Sequence, residues 1–529
     1  MDSFDAVVIG AGHNGLAAAI DLTFKGWRVA VVERAAVPGG AVKTQEVTEA
    51  GFRHDLGAMN LSMFAGSAFY AAYKTALAEH GLAFVPAADC FASVFPDQSY
   101  LGVGTDAAAT LAAIEALSRE DARAWQAMID DFGRKEPHIF GILGAPMPSL
   151  ASLKIVWAAW RAGGMTLLQD IARLLLSSPR DFLDSHFQSD KLKATMAAWG
   201  LHLDFAPDIA GGALFPYLES MTSHLFGMVI GKGGADTIIR AMISLFEAKG
   251  GTLLLNAPAV SIAMNGDKAN GVRLADGRIL SARRAVISNV NPRVTFEHLV
   301  EPGAPAADYR RRLAAFRPGP AAMMIHLAMD DLPRWSAGAA LRRFAYVHIA
   351  PDMAMMNRVY SEAMAGLLPA EPALVVGQPT ALDPTRAPAG KHVLWVQVRV
   401  LPARIKGDAA ESIVAVNWDD AKEAYADRVM AIIERYAPGT GAKVRSRFVV
   451  SPCDLETGNP SLIGGDSLSG SHHLDQNFLF RPVAGHSRYR TPIRNLYLCG
   501  AGTWPGAGTG AGSGYMLAKM LARSRLSTP

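Results

Sequence analysis

The sequence predicts an α/β fold built on one discontinuous domain, with further segments inserted into it. Three observations carry this reading. A strand–turn–helix–strand unit with three spaced glycines opens the chain, from Phe4 to Gly40. A second glycine-rich turn, Gly500 to Gly512, lies between a strand and a helix at the far end. Between them, Met228 to Asn289 shows the same alternation of short β-branched runs with an amphipathic helix.

In the first unit the apolar run Ala6 to Ile9 is followed at once by Gly10-Ala11-Gly12-His13-Asn14-Gly15. An apolar helix comes next and stops at Gly26; the run Val29 to Val32 then ends in Glu33. This is a Rossmann-like dinucleotide fingerprint in its structural context. Gly10 permits the tight turn, Gly12 lets backbone approach a pyrophosphate, and Gly15 lets the helix pack close to the strand. The positive end of the helix and its unpaired N–H groups face the phosphates. Glu33 lies 18 residues beyond Gly15, where a carboxylate accepts from ribose hydroxyls. Pro38-Gly39-Gly40 turns the backbone toward the same ligand. This unit alone leaves NAD and FAD both open.

Composition excludes several classes. The 529 residues allow two or more domains, and half of them are hydrophobic against 19% charged. A net charge of +3, without clustered Lys/Arg and interleaved aromatics, argues against nucleic acid as a partner. Cys90, Cys453 and Cys499 form no CxxC pair, so neither a redox dithiol nor a disulfide framework is expected. No metal is expected either, since His472 and His473 are adjacent and no HExxH or Cys/His spacing occurs. The first strand begins within a few residues of Met1, so no signal peptide is expected. No apolar run reaches the ~20 residues that span a bilayer. The expected location is the cytoplasm, with membrane association as an open addition.

Past the first unit, Gly51 to Gly57 reads as a short strand closing on a glycine turn, Ser67 to Gly81 as a helix, and residues 107–135 as helical. Pro137 to Asp184 is the most apolar stretch, with Lys154, Arg161, Arg173 and Arg180 interspersed. It reads either as a buried helical subdomain or as an amphipathic surface dipping into lipid through residues 137–184. Gly231-Lys232-Gly233-Gly234 lacks a third fingerprint glycine, Asp236 standing there, so no second dinucleotide site is expected. Strands are expected at Leu253–Leu255, Val260–Ile262, Val272–Leu274, Ile279–Leu280 and Arg284–Asn289, with hairpin turns at Asn265-Gly266 and Asp276-Gly277. Residues 300–450 read as a separate body, with strands at Met323–Leu327, Leu374–Val376 and Val393–Val400 and a helix from Asp420 to Tyr436.

The tail sharpens the cofactor. Asn495 to Cys499 is a strand, and Gly500-Ala501-Gly502 through Gly512 opens onto a helix from Ser513 to Arg523. Arg523 and Arg525 sit at the negative end of that helix. One glycine-rich nest at each end of the chain suits one long cofactor held from two sides, which is the shape of FAD.

The segments GAGHNGLAAA…VVERAAVPGG, IGKGGADTIIRAMISLFEAKGGTL…RAVISNV and DQNFLFRPVAGHSRYRTPIRNLYLCGAGTWPGAG together resemble the phytoene desaturase and carotenoid isomerase group, in its phytoene dehydrogenase-like branch of FAD oxidoreductases. The resemblance implies a glutathione-reductase-type FAD-binding domain made of residues 1–85, 228–300 and 446–529. It further implies an α+β substrate domain at 301–445, a substrate/helical region at 86–227 with an apolar helical subdomain, and an elongated apolar tunnel, often with peripheral membrane contact. FAD contacts are implied at Gly10, Gly12, Gly15, Glu33, Arg34, Gly39, Gly40, Gly500, Ala501 and Gly502, and at Val260 through its backbone. His13, Asn14, Ala41, Gly510 and Ala511 complete the expected set. Two positions depart from relatives: Ala41 stands where amine oxidases usually carry arginine, and Trp504 replaces the histidine of a GTHPGAG tail.

The expected activity is dehydrogenation of a lipophilic substrate by hydride transfer to flavin N5, with electrons passing to oxygen, a quinone or another acceptor. His54, Asp55 and Trp504 are the flavin-proximal candidates; no general base is assigned. The rivals are a redox-neutral flavin isomerase, a flavin amine or alcohol oxidase, and a non-catalytic FAD-bound partner protein.

Overall fold

A computed structural model describes residues 3–523. The apolar strand Ser3–Ile9 is central to the first sheet, flanked by the buried strand Val29–Val32 and by Ile279–Ser288, whose last four residues are buried. Strands 496–498, 279–288, 3–9, 29–32 and 252–254 lie side by side, all parallel. The antiparallel meander of Ala259–Asn265 and Lys268–Leu274 joins at the first half of Ile279–Ser288. The two strands read from Ile279–Leu280 and Arg284–Asn289 are therefore one continuous strand of 10 residues. Helices His13–Phe24, Thr237–Ala248 and Gly512–Arg523 cover one face of this sheet with their apolar sides. Arg523 stands in the last turn of the third, as expected; Arg525 lies outside the described residues.

A second seven-stranded sheet forms the other body, in the order 444–450, 321–329, 392–401, 373–377, 346–349, 89–94, 100–104. Its strands come from three stretches of the chain. The hairpin of Asp89–Val94 and Tyr100–Gly104 pairs with Tyr346–Ile349, so the substrate/helical region contributes two strands to this sheet before its helices begin. Val444–Val450 pairs with Ala321–Met329, so this sheet extends past residue 445. Along His392–Leu401, Val396 and Val398 face the core under helix Trp418–Tyr436, while Gln397 and Arg399 face the other way.

The strand Met228–Gly231 pairs antiparallel with Phe84–Ala87 and stays out of the parallel sheet. Its glycine turn is occupied by the protein's own charges: Gly233 N–H donates to Asp383 (2.6 Å) and the Gly231 carbonyl accepts from Arg386 (2.7 Å).

The helical region holds Arg119–Leu143, which runs through Pro137, and Leu150–Leu176, which breaks at Gly163 and Gly164. The second of these is not the buried body that one reading of its composition expects. Leu150, Leu153 and Trp157 are 78%, 65% and 58% exposed, and Val156, Trp160 and Met165 are exposed beside them. Among the described residues no helix is long and apolar enough to cross a membrane.

Candidate functional site: a split dinucleotide cleft

Both glycine-rich turns open into one cleft of about 1660 Å³ between the two sheets. Gly10 (φ +95°) ends the first strand in a conformation that L side chains rarely adopt. A Cβ at Gly15 would lie 2.5 Å from the Gly10 carbonyl oxygen, which is why this position must be bare for the helix to close on the turn. Gly12 caps the helix with no side-chain hydrogen bond, leaving its first-turn N–H groups for a ligand. Glu33 ends its strand with Oε2 accepting from Ala11 N–H (2.9 Å) and Oε1 from Ala35 N–H (3.0 Å), so the carboxylate is held at the cleft rim.

The tail turn meets this fingerprint directly. His13 Nε2 lies 3.2 Å from the Gly508 carbonyl, and Gly514 N–H donates to Asn14 Oδ1 (3.4 Å). Burial pushes the His13 imidazole down to about 4, against the raising effect of that carbonyl, so it is neutral at physiological pH. Ser513 Oγ accepts from Gly500 N–H (3.0 Å) and pairs with Thr503 Oγ1, which seats the turn on the start of the last helix.

Two residues that sequence reasoning missed join the halves. Asn289, just past Ile279–Ser288, donates from Nδ2 to the Gly10 carbonyl (3.2 Å), and Gly500 approaches its Oδ1 so closely that a Cβ there would sit at 2.9 Å. Arg481, fully buried, donates to the carbonyls of Ala501 (2.8 Å) and Ser471 (2.8 Å) and fixes the tail turn from behind. Asn289 follows the strand in RAVISNV and Arg481 lies in the FLFRPV motif, but neither position announces its distant partner in the sequence.

Of the expected cofactor residues, Gly10, Gly12, His13, Asn14, Glu33, Arg34, Gly39, Gly40, Ala41, Gly500, Ala501, Gly502 and Gly510 line the cleft. Gly15 and Ala511 stand behind its wall, Gly15 as packing and Ala511 (φ +56°) as the turn into the last helix. Val260 points its side chain to solvent, 44% exposed, and its neighbour Ala259 lines the cleft instead.

The catalytic candidates need correction. His54 and Asp55 are buried away from the cleft. Asp55 accepts from Arg386, Ala235 N–H (2.8 Å) and Thr44 Oγ1 (2.6 Å), a network tying three distant segments together. His54 is 2.7 Å from Thr48 Oγ1 and packs its ring on His326. Both are structural. Trp504 does reach the cleft wall, but its Nε1 donates to the Ala145 carbonyl (2.9 Å) and its ring lies on Phe478.

Glu219, on helix Leu214–Phe226, is the carboxyl that the chemistry can use. It lines the cleft, and burial alone raises it to about 7. Of the other acids of the wall, Glu33 is committed to two backbone N–H groups and Asp454 to Ser451 and Lys422, which hold it low although burial opposes them; Glu136, on helix Arg119–Leu143, lines the cleft as well. Nothing in the sequence around Glu219 marks it, since a single acid on an apolar helix is common.

Comparison with known proteins agrees with this geometry. The family model described as flavin containing amine oxidoreductase matches residues 15–515. The chain belongs to that family. It is 30% identical to the rat "Pyridine nucleotide-disulfide oxidoreductase domain-containing protein 2", over 98% of this chain and 93% of that protein. A phytoene dehydrogenase of Streptomyces griseus is 28% identical, over 99% and 95%. An oxidoreductase of Methanosarcina mazei superposes with a TM-score of 0.63 at 19% identity, covering 98% of this chain and 99% of that one. The chain is accordingly an FAD-dependent oxidoreductase of phytoene desaturase-like kind with a Rossmann-like FAD-binding domain. The cleft suits FAD: the bare helix cap, the held carboxylate of Glu33 and two glycine turns, in which Gly15, Gly500 and Gly502 leave no room for a Cβ, form a long groove for backbone contact. At about 1660 Å³ it also exceeds the ~300–1,000 Å³ of a single ligand site.

Proposed function

We propose that this chain dehydrogenates a lipophilic substrate bound in the same cleft as FAD. The observation that carries this is the continuity of the fingerprint walls with an apolar chamber that includes Met324, Trp395, Tyr346, Phe215 and Leu218. Named relatives act on phytoene, and another is a limonene dehydrogenase subunit, which supports a hydrocarbon-rich substrate. FAD, when bound, accepts the hydride of the oxidation. The protein's part is to exclude water, hold the substrate against apolar walls, and remove a proton. Glu219 takes that proton, because a carboxyl raised to about 7 is balanced between its two forms near neutral pH.

Access runs over the exposed apolar helix Leu150–Leu176. Phe140 and Phe226 are at once exposed and part of the cleft wall, so the rim is continuous with that face. The face rests on a lipid surface, from which a lipophilic substrate enters without crossing water.

The test is anaerobic mixing of the holoprotein with isoprenoid hydrocarbons. Stoichiometric bleaching of the flavin, with a desaturated product, is expected. An isomerised product without bleaching would replace this reading by the redox-neutral one.

A further inference from the structure

We infer that the lipophilic substrate carries a carboxylate, received by Arg399 and Gln397 on the second sheet's wall of the cleft. The inference deepens the lipophilic-substrate reading above and rests on it. Trp395, Gln397 and Arg399 alternate along one face of the strand His392–Leu401 and all three line the chamber. No carboxylate lies within 4.0 Å of the Arg399 guanidinium among the described residues, whereas Arg386 and Arg428 each pair with an aspartate.

What Arg399 does touch is weak. Nη1 is 3.4 Å from the His202 carbonyl and 3.5 Å from Ser467 Oγ, and Nη2 is 3.2 Å from His202 Nδ1. Its Nε is buried with no partner. Burial lowers the guanidinium to about 10, which still leaves it charged at neutral pH. His202 cannot compensate it: burial, and then the Arg399 charge itself, hold that imidazole neutral.

The surroundings repeat the deficit. Gln397 is 5% exposed, and its side-chain amide makes no hydrogen bond among the described residues, which leaves Nε2 to donate. The indole N–H groups of Trp395 and Trp199 are buried without acceptors. The rings connect these groups into one patch, Trp395 to Tyr346 (5.7 Å), Tyr346 to Trp199 (6.2 Å) and Trp199 to His202 (4.7 Å). Buried polar groups are costly when unpaired. A patch with one fixed cation, an amide and two indole donors therefore awaits an oxygen-rich anion. The planar fork of arginine matches a carboxylate, and the aromatic remainder suits the apolar chain behind it.

The experiment compares saturated fatty acids of eight to eighteen carbons with their methyl esters, each titrated calorimetrically into the holoprotein at pH 8. At the best chain length the acid is expected to bind at least about tenfold more tightly than its ester, the scale of a charge-assisted pair. In Arg399→Gln that preference should fall below about twofold while ester binding is unchanged. Without ligand, Arg399→Gln should melt no lower than wild type, since it removes a half-buried charge that has no ion-pair partner. Equal binding of acid and ester by wild type, or a preference that survives Arg399→Gln, overturns the carboxylate. Failure of every acid and every ester to bind overturns the lipophilic reading as well.

Discussion

The contact between the first and last helices of the FAD domain sets up a sharp prediction. A Cβ on Gly514 would sit 1.8 Å from the Asn14 carbonyl oxygen and 3.2 Å from Ala18 N. Neither obstacle is a flexible side-chain end. Ordinary contact would require the backbones to separate by roughly 1.6 Å, in a seam otherwise lined by buried Ala17, Ala18 and Leu517. Overpacking of this kind costs about 1–3 kcal/mol or more. The better helix propensity of alanine returns ~1 kcal/mol. Because the 1.8 Å contact is with backbone, the cost lies at the upper end, and Gly514→Ala should lose about 2 kcal/mol or more net. Gly133→Ala is the matched control: it lies in helix Arg119–Leu143 with nothing within 4 Å of the new Cβ, and should gain about 1 kcal/mol. Because Asn14 and Ser513 seat the two glycine turns, Gly514→Ala should also weaken FAD binding, whereas Gly133→Ala should not. Thermal melting followed by circular dichroism, with FAD release followed by flavin fluorescence, reads both effects. A Gly514→Ala protein that melts with wild type and retains its FAD would refute the argument that this seam holds the split site together.

Three further outcomes are expected. Glu219 is raised from its ordinary value to about 7, so between those pH values the folded protein holds a proton that the unfolded chain releases, and stability falls as pH rises through that window. Glu219→Gln should accordingly be more stable than wild type at pH 8.5 and gain nothing at pH 4, and it should slow anaerobic flavin bleaching by ~10²–10⁴-fold; melting curves and stopped-flow traces check the two halves. Trp157→Glu should abolish co-sedimentation with phosphatidylcholine/phosphatidylglycerol vesicles while leaving the FAD spectrum unchanged. Mixing the holoprotein with NADPH under argon should leave the flavin oxidised over minutes, because the Gly231–Gly234 turn is filled by Asp383 and Arg386; rapid stoichiometric bleaching would contradict that.

The cofactor frame was legible because its constraints are local. Gly10, Gly12 and Gly15 each answer to a backbone geometry within a few residues, and Glu33 follows at the length of one helix and one strand. What escaped depends on partners far along the chain. Asp55 looks like a flavin-side carboxylate until Arg386, 331 residues away, is brought against it. The hairpin at 89–104 belongs to a sheet whose other strands start beyond residue 320, so no local pattern assigns it. The alternation of a strand sets Gln397 and Arg399 opposite Val396 and Val398, but which side faces a cleft is decided by helix Trp418–Tyr436 covering the valines. The apolar composition of 137–184 was plain; its exposure came only with the packing.

The central claim is that both ends of the chain hold one FAD beside a chamber for a lipophilic substrate. It is tested most directly by the absorption spectrum of the purified protein, followed by mass spectrometry of what it releases on denaturation. One FAD per chain, together with an apolar molecule that co-purifies with wild type, is the predicted result. A protein that contains no flavin as isolated, and takes up none when incubated with FAD, would contradict it.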